Sequence, residues 1–137
     1  MPQYYMVRSR LNGMVLDIDC GKREPGARLI LWPAKTQGNN DNQLWEIDHY
    51  GHIKSKMNGL VLDIEGGKTT QGTKVLTWHG EGKAWQKWYV EGDGSIRSQH
   101  SGLVLDVKDN NRSQGASVCV WSHNGGQNQK WDLIPSR

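Results

Sequence analysis

The sequence has 137 residues, of which 35% are hydrophobic and 23% charged, and its formal net charge is +3. This length suits one domain with its own core, so we predict a single domain over residues 1–137. A mean hydropathy of −0.75 and the lack of any apolar run near twenty residues exclude a transmembrane helix and membrane insertion. Acidic and basic residues are interspersed, which does not favour nucleic acid as a partner.

The amino-terminal segment MPQYYMVRSR lacks the apolar core of a secretory signal. We therefore expect a cytoplasmic or non-classically secreted protein. Cys20 and Cys119 are too few for a disulfide framework. We expect both to be free thiols, which fits a reducing compartment.

The first elements along the chain are two short apolar runs joined by an Asn-Gly pair, YYMVRS at 4–9 and NGMVLDI at 12–18. Short runs rich in β-branched residues between turn residues predict β-strands. Asn12 and Gly13 both tolerate positive φ, so this pair predicts a two-residue hairpin turn.

The same phrase returns twice, as NGLVLDI at 58–64 and SGLVLDV at 101–107, each time after another short run (HIKS, then SIRS). Side chains alternate along a strand. Leu60 and Leu62 therefore share one face, while Asp63 points to the other. An Asp in the middle of a strand is disfavoured by β-propensity. Three such residues in register therefore indicate a functional role.

Each copy of the phrase starts a longer register. Nine residues after its Asp comes a Gly, fifteen after it a Trp, and the copy closes with Gln-x-Trp. The members are Asp17, Gly26, Trp32 and QLW at 43–45; Asp63, Gly72, Trp78 and QKW at 86–88; Asp106, Gly115, Trp121 and QKW at 129–131. We predict three repeats, approximately 4–48, 49–91 and 92–137. The first has three extra residues between its two Trp residues, which indicates a loop insertion.

Frequent glycines and the lack of i, i+3, i+4 patterns exclude helical repeats. Each repeat holds about four short strands, which gives about twelve in all. Three blades are fewer than a β-propeller uses. We therefore predict an all-β fold, a β-trefoil of three pseudo-threefold repeats.

The tripled QxW register resembles the ricin-B-like, or R-type, lectin β-trefoil family, from about Tyr4 to Ile134. The resemblance implies a shallow sugar site in each repeat. The Asp would accept hydrogen bonds from vicinal hydroxyls, an aromatic ring would stack on the sugar, and polar residues around the QxW glutamine would complete the site. Galactose and N-acetylgalactosamine are the commonest ligands of the family, and other members bind xylan or mannose.

Carried over residue by residue, the family pattern is complete in two repeats. The first repeat has Asp17, Trp32, Asn42 and Gln43, and the third has Asp106, Trp121, Asn128 and Gln129. The second has Asp63, Trp78 and Gln86, with Trp85 in place of the Asn and His79 as a substitute polar contact. The chain departs from the family pattern in two ways. It lacks the cysteine pair that many members carry in each repeat, and it has apolar residues two positions before the Trp, where ricin-like sites often have Gln. These are Ile30, Leu76 and Cys119.

The seven Trp residues divide into two predicted sets of three, with Trp85 apart. The QxW indoles, Trp45, Trp88 and Trp131, are predicted core residues in a chain without Phe. Trp32, Trp78 and Trp121 end their strands and are predicted exposed platforms. The competing interpretation of the three Asp residues is a carboxylate satisfied by backbone N–H groups. The QxW glutamines are predicted to brace their own loops first and to contact the sugar second.

No catalytic or metal-ligand motif stands out, so we predict a non-enzymatic, metal-independent lectin without a cofactor. Its expected partners are glycoproteins or glycolipids with terminal galactose or N-acetylgalactosamine, bound multivalently.

Two alternatives stay open. One is a trefoil interaction module that binds protein or sulfated glycans through a basic patch, with strong salt dependence. The other is a xylan-type carbohydrate-binding module. The oligomeric state, monomer or dimer, also stays open.

Overall fold

The computed structural model describes residues 2–136 and contains twelve short β-strands in these residues. The strands are β1 (Tyr5–Ser9), β2 (Val15–Ile18), β3 (Leu29–Trp32), β4 (Trp45–Ile47), β5 (Ile53–Ser55), β6 (Val61–Ile64), β7 (Val75–Trp78), β8 (Trp88–Val90), β9 (Ile96–Ser98), β10 (Val104–Val107), β11 (Val118–Trp121) and β12 (Trp131–Pro135). Single 3-10 turns follow the second strand and precede the fourth strand of each repeat: Asp19–Gly21, Asp41–Gln43, Glu65–Gly67, Ala84–Gln86, Lys108–Asn110 and Gln127–Gln129. None of the helical segments in residues 2–136 has the length and apolar character of a membrane span.

Six strands form a closed barrel. β1 pairs antiparallel with both β12 and β4, β4 pairs with β5, and β8 pairs with β9. Backbone hydrogen bonds close the remaining gaps: the N–H of Trp88 donates to the carbonyl of Gly51, just before β5, and that of Trp131 to Gly94, just before β9, both at 2.9 Å. Closure leaves the barrel without a free edge.

Three hairpins cover one end of this barrel. They are β2–β3, β6–β7 and β10–β11, each with four antiparallel residue pairs. Single bridges connect each hairpin to the other two: Arg28 with Leu76, Ile30 with Ser117, and Lys74 with Cys119. A six-stranded barrel capped by three equivalent hairpins is a β-trefoil, so the predicted fold is confirmed.

The core is built around the three QxW indoles. Trp45, Trp88 and Trp131 are at most 3% exposed. Each indole N–H donates to a strand carbonyl of its own repeat, those of Leu16, Leu62 and Leu105, at 3.2–3.3 Å. The predicted core role is confirmed, and the hydrogen bond explains how a buried indole avoids an unsatisfied donor.

The predicted two-residue hairpin turn at Asn-Gly is wrong. The N–H of Ser9 donates to the carbonyl of Met14 and the N–H of Gly13 to the carbonyl of Ser9, so residues 10–13 form a four-residue loop. Only Gly13 has positive φ, +80°. Asn12 instead accepts the N–H of Met14 with its side-chain oxygen at 3.0 Å, which is the local bond that favours Asn in turns.

Candidate functional site

The three strand Asp residues lie on the capping hairpins. Asp17 is opposite Ile30, Asp63 opposite Leu76, and Asp106 opposite Cys119. Their exposed fractions are 3–5%. Each carboxylate lies in the wall of a different open cleft, named here the first, second and third cleft after its repeat.

A buried glutamine holds each of these carboxylates. In the first repeat Gln43 Nε2 donates to Asp17 Oδ2 at 2.9 Å and to the carbonyl of Pro33 at 3.0 Å, while its Oε1 accepts the N–H of Lys35 at 2.9 Å. Gln86 and Gln129 make the same three types of contact in their repeats. The predicted role of the glutamines as loop braces is therefore confirmed, and the brace also fixes the Asp.

The first cleft measures about 410 Å³ and is lined by Asp17, Trp32 and Asn42, whereas the predicted Gln43 is fully buried and does not line it. Asn42 Nδ2 lies 3.3 Å from Asp17 Oδ1, and Lys35 Nζ donates to Asn42 Oδ1 at 2.9 Å. Trp32 lines the same cleft and is 39% exposed. A carboxylate, an amide and an open indole thus share one concave surface.

The third cleft measures about 530 Å³ and repeats this arrangement. Asp106 Oδ2 accepts from Gln129 Nε2 at 2.9 Å and from Asn128 Nδ2 at 3.4 Å. Trp121 is 41% exposed at its wall. Cys119 Sγ lies 3.7 Å from Asp106 Oδ1; burial, followed by the nearby Asp106 charge, raises the pKa of this thiol to about 12, so Cys119 stays protonated.

The second cleft, about 510 Å³, has a different wall. It is lined by Asp63, Trp78 and Trp85, and no amide side chain takes the place of Asn. A Cβ at Gly67 would lie 2.8 Å from the Trp85 ring, so this glycine lets the indole pack on the backbone. His79 does not line the cleft, since its ring packs edge-on against Trp78, 6.0 Å between centroids.

The family model described as the ricin-type beta-trefoil lectin domain matches residues 3–131, which is nearly the whole chain. The chain belongs to this family. A search of curated protein sequences found no match.

Solved structures of related proteins share the fold of this lectin domain over almost its full length. The C-half of an earthworm R-type lectin in complex with GalNAc is 31% identical, with a TM-score of 0.86, and the match covers 98% of this chain and 100% of that chain. ThreeFoil, a designed 3-fold symmetric protein, is 32% identical with a TM-score of 0.88, covering 96% and 97%. The agglutinin from Abrus precatorius is 25% identical with a TM-score of 0.86, covering 98% of this chain and 49% of that one.

Burial sets the electrostatics of the lectin's three strand carboxyls. Loss of hydration raises the pKa of Asp17, Asp63 and Asp106 above the ordinary 3.8, although the hydrogen bond from the QxW glutamine opposes this change. Residues 2–136 contain no group of three or more His, Cys, Asp or Glu side chains placed to hold a metal ion.

The sequence places Lys35 at the lip of the first site as a solvated charge, but it does not reveal the shared role of the residue that follows each platform Trp by three positions. Its backbone N–H binds the QxW glutamine in every repeat, and the three residues are Lys35, Glu81 and Asn124. The bond spans eight residues in the first repeat and five in the others. The predicted three-residue insertion therefore lies between Lys35 and Gln43. The constant spacing from the Trp is the signal that could have revealed this position.

Proposed function

We propose that this lectin domain binds terminal galactose or N-acetylgalactosamine on glycoproteins or glycolipids through its first and third clefts. One observation carries the proposal. In both clefts a buried Asp, fixed by the QxW glutamine and contacted by an Asn amide, faces the same space as an exposed Trp.

The chemistry of each part fits a pyranose. A carboxylate accepts hydrogen bonds from two hydroxyls at once. An indole face matches the C–H-rich side of the ring, and galactose, with its axial O4, offers a large patch of this kind. The buried Gln and the Asn amide, which donates to the carboxylate and to a backbone carbonyl, keep the carboxylate in one orientation before the sugar arrives.

We infer that binding is multivalent. Each cleft is shallow, so a single site would bind with a Kd on the order of 1 mM, about −4 kcal/mol. Simultaneous engagement of two clefts by linked glycans can raise the overall affinity by roughly 10²–10⁴. The proposal needs no catalytic step, metal or cofactor.

The double variant Asp17→Asn with Asp106→Asn tests the site assignment. It keeps the shape of both clefts and an acceptor for Gln43 and Gln129 but removes the charge. We expect retention on immobilised galactose to be lost while the thermal unfolding midpoint changes little.

A matched control, Asp93→Asn with Asp132→Asn, changes the net charge by the same amount. Asp93 and Asp132 line none of the three clefts. The control should be retained like the wild type. Full retention of the Asp17 and Asp106 double variant on galactose resin would overturn the assignment.

A further inference from the structure

The second cleft carries more negative charge in its wall than its two counterparts do. The residue three positions after the platform Trp is Lys35 in the first repeat, Asn124 in the third and Glu81 in the second. All three line their clefts. Burial is the main cause that raises the pKa of both Asp17 and Asp63; the positive charge of Lys35 opposes this rise for Asp17, and the negative charge of Glu81 adds to it for Asp63. The same position thus acts on the buried carboxyl in opposite directions.

The charges in the wall of the second cleft are all negative. Asp63, Glu65 and Glu81 line it, and no Lys or Arg does so. The first and third clefts each contain two carboxylates and one lysine: Asp17, Asp19 and Lys35, and Asp106, Asp109 and Lys108. Within residues 2–136 none of the three carboxylates of the second cleft has an ion-pair partner within 4 Å.

The buried carboxylate of this cleft has one oxygen that accepts no hydrogen bond from the described residues. Asp63 is 95% buried (5% exposed) and lines the cleft. Its Oδ2 accepts from Gln86 Nε2 at 2.7 Å. Oδ1 accepts no hydrogen bond from the described residues, whereas the Oδ1 atoms of Asp17 and Asp106 lie 3.3 Å from Asn42 Nδ2 and 3.7 Å from Cys119 Sγ. A carboxylate held in this way favours a ligand that brings a strong donor.

Two indoles complete the wall. Trp78 is 39% exposed, and Trp85 stands across the same cleft. Lys83 Nζ lies 5.9 Å from the centroid of the Trp85 ring, so this ring already attracts an ammonium group. Aromatic faces next to unpaired carboxylates are the arrangement that proteins use to bind organic cations.

We propose that the second cleft binds an amino sugar whose amine is free and protonated, such as a 2-amino-2-deoxyhexose residue. Trp78 stacks on the pyranose, Asp63 Oδ1 accepts from a ring hydroxyl or the ammonium, and Glu81 with Glu65 supplies the opposite charge. This inference rests on the proposed function of the other two clefts, because it assumes that the repeats present sugar-sized sites.

The experiment reads all three clefts at once. The full chain is labelled with 5-fluorotryptophan, and the 19F resonances are assigned with single Trp→Phe variants. Galactosamine, galactose and N-acetylgalactosamine are then titrated separately at about pH 6, below the pKa of an ordinary amine. Trp78 and Trp85 report the second cleft, Trp32 the first and Trp121 the third.

We expect Trp78 and Trp85 to report galactosamine binding roughly fivefold or more tighter than galactose, from an added charge pair and a cation–π contact. Trp32 and Trp121 should show no such preference. Glu81→Gln should reduce the second-cleft preference at least twofold and Glu81→Lys should abolish it, whereas Glu24→Gln, outside the cleft, should leave it unchanged. The backbone N–H of residue 81, which binds Gln86, remains in each variant.

The two proposals fail in different ways. A second cleft that prefers galactosamine by less than fivefold, or that does not respond, overturns this inference while Trp32 and Trp121 still respond to galactose. Silence of Trp32 and Trp121 toward both neutral sugars overturns the proposed function instead. A preference that Glu81→Lys does not abolish also overturns the inference, because the charge of Glu81 is then not its cause.

Discussion

Gln129 Nε2 donates to Asp106 Oδ2 at 2.9 Å, and both side chains are almost fully buried. The same amide also donates to the carbonyl of Ser122, and its oxygen accepts the N–H of Asn124. One side chain therefore closes the loop behind the platform Trp and orients the carboxylate at the cleft. Because the contact occurs in all three repeats, fold stability and cleft geometry depend on the same group.

This dual role predicts the effect of Gln129→Leu. The change keeps much of the side-chain volume but removes three hydrogen bonds and leaves buried polar partners unsatisfied. At about 0.5–1.5 kcal/mol for each of the three hydrogen bonds, we expect the free energy of unfolding to fall by roughly 2–4 kcal/mol. Urea denaturation measures this.

Gln127→Leu is the matched control, since Gln127 lies in the same 3-10 turn but is exposed. A surface change of this kind should stay within about 0.5 kcal/mol. Equal losses in the two variants would show that the buried hydrogen bonds are not the cause.

The two sets of Trp residues should separate stability from binding. Trp88→Ala removes a ring that is 2% exposed and should cost about 3–5 kcal/mol of unfolding free energy. Trp121→Ala removes a ring that is 41% exposed and should cost less than about 1 kcal/mol, while sugar binding at the third cleft is lost. Denaturant unfolding and a galactose titration of each variant measure both quantities. A Trp121→Ala protein that binds as well as the wild type would exclude stacking on this indole.

The trefoil could be predicted from the sequence because the same residues recur at the same spacing in each of its three structural repeats. Three Asp residues in register required three equivalent strands, and the QxW indoles required three equivalent core positions. The exposure of Trp32 and its two counterparts followed from the loop residues after each strand. These are local consequences of alternation and turn chemistry, which a sequence displays directly.

The features that could not be predicted depend on contacts between residues far apart in the sequence. Glu81 lines the second cleft, and its backbone N–H binds Gln86; no local pattern reveals this placement. His79 has a suitable side chain at a suitable position, yet its ring turns to Trp78. The Asn-Gly pair has the composition of a two-residue turn, but the Ser9 and Met14 backbone bond imposes a longer loop.

Equivalent positions after β2, β6 and β10 allow a stabilising change. Cys20 has a φ of +56°, and the matching residue of the second repeat is Gly66, with a φ of +65°. A side chain in this left-handed region costs roughly 1–2 kcal/mol, partly offset by the greater chain entropy of glycine. We therefore expect Cys20→Gly to stabilise the fold by about 0.5 kcal/mol, measured by urea denaturation. A clear loss of stability would show that Cys20 makes contacts that outweigh its backbone strain.

Acid should destabilise the fold mainly through carboxyl groups that lie outside the clefts. Burial opposes ionisation of Asp48, but hydrogen bonds from the backbone and side chain of His52 outweigh it and lower the pKa to about 2. A carboxyl with a lowered folded pKa stabilises the native state above its unfolded value of 3.8 and loses this contribution as the pH falls toward about 2. Acid destabilisation from Asp48 therefore begins below pH 3.8.

Sugar binding should be lost at a higher pH than the fold. Burial raises the pKa of Asp17 and Asp106 above 3.8, so the folded protein takes up these protons more readily than the unfolded chain. Their protonation favours the native state as the pH falls, but it removes the charge and acceptor capacity that the sugar requires. We expect galactose affinity to fall with a midpoint above pH 3.8 while circular dichroism still shows the native fold. Asp48→Asn should move the unfolding midpoint and leave the binding midpoint in place. Coincident midpoints for binding and unfolding in the wild type would contradict this assignment.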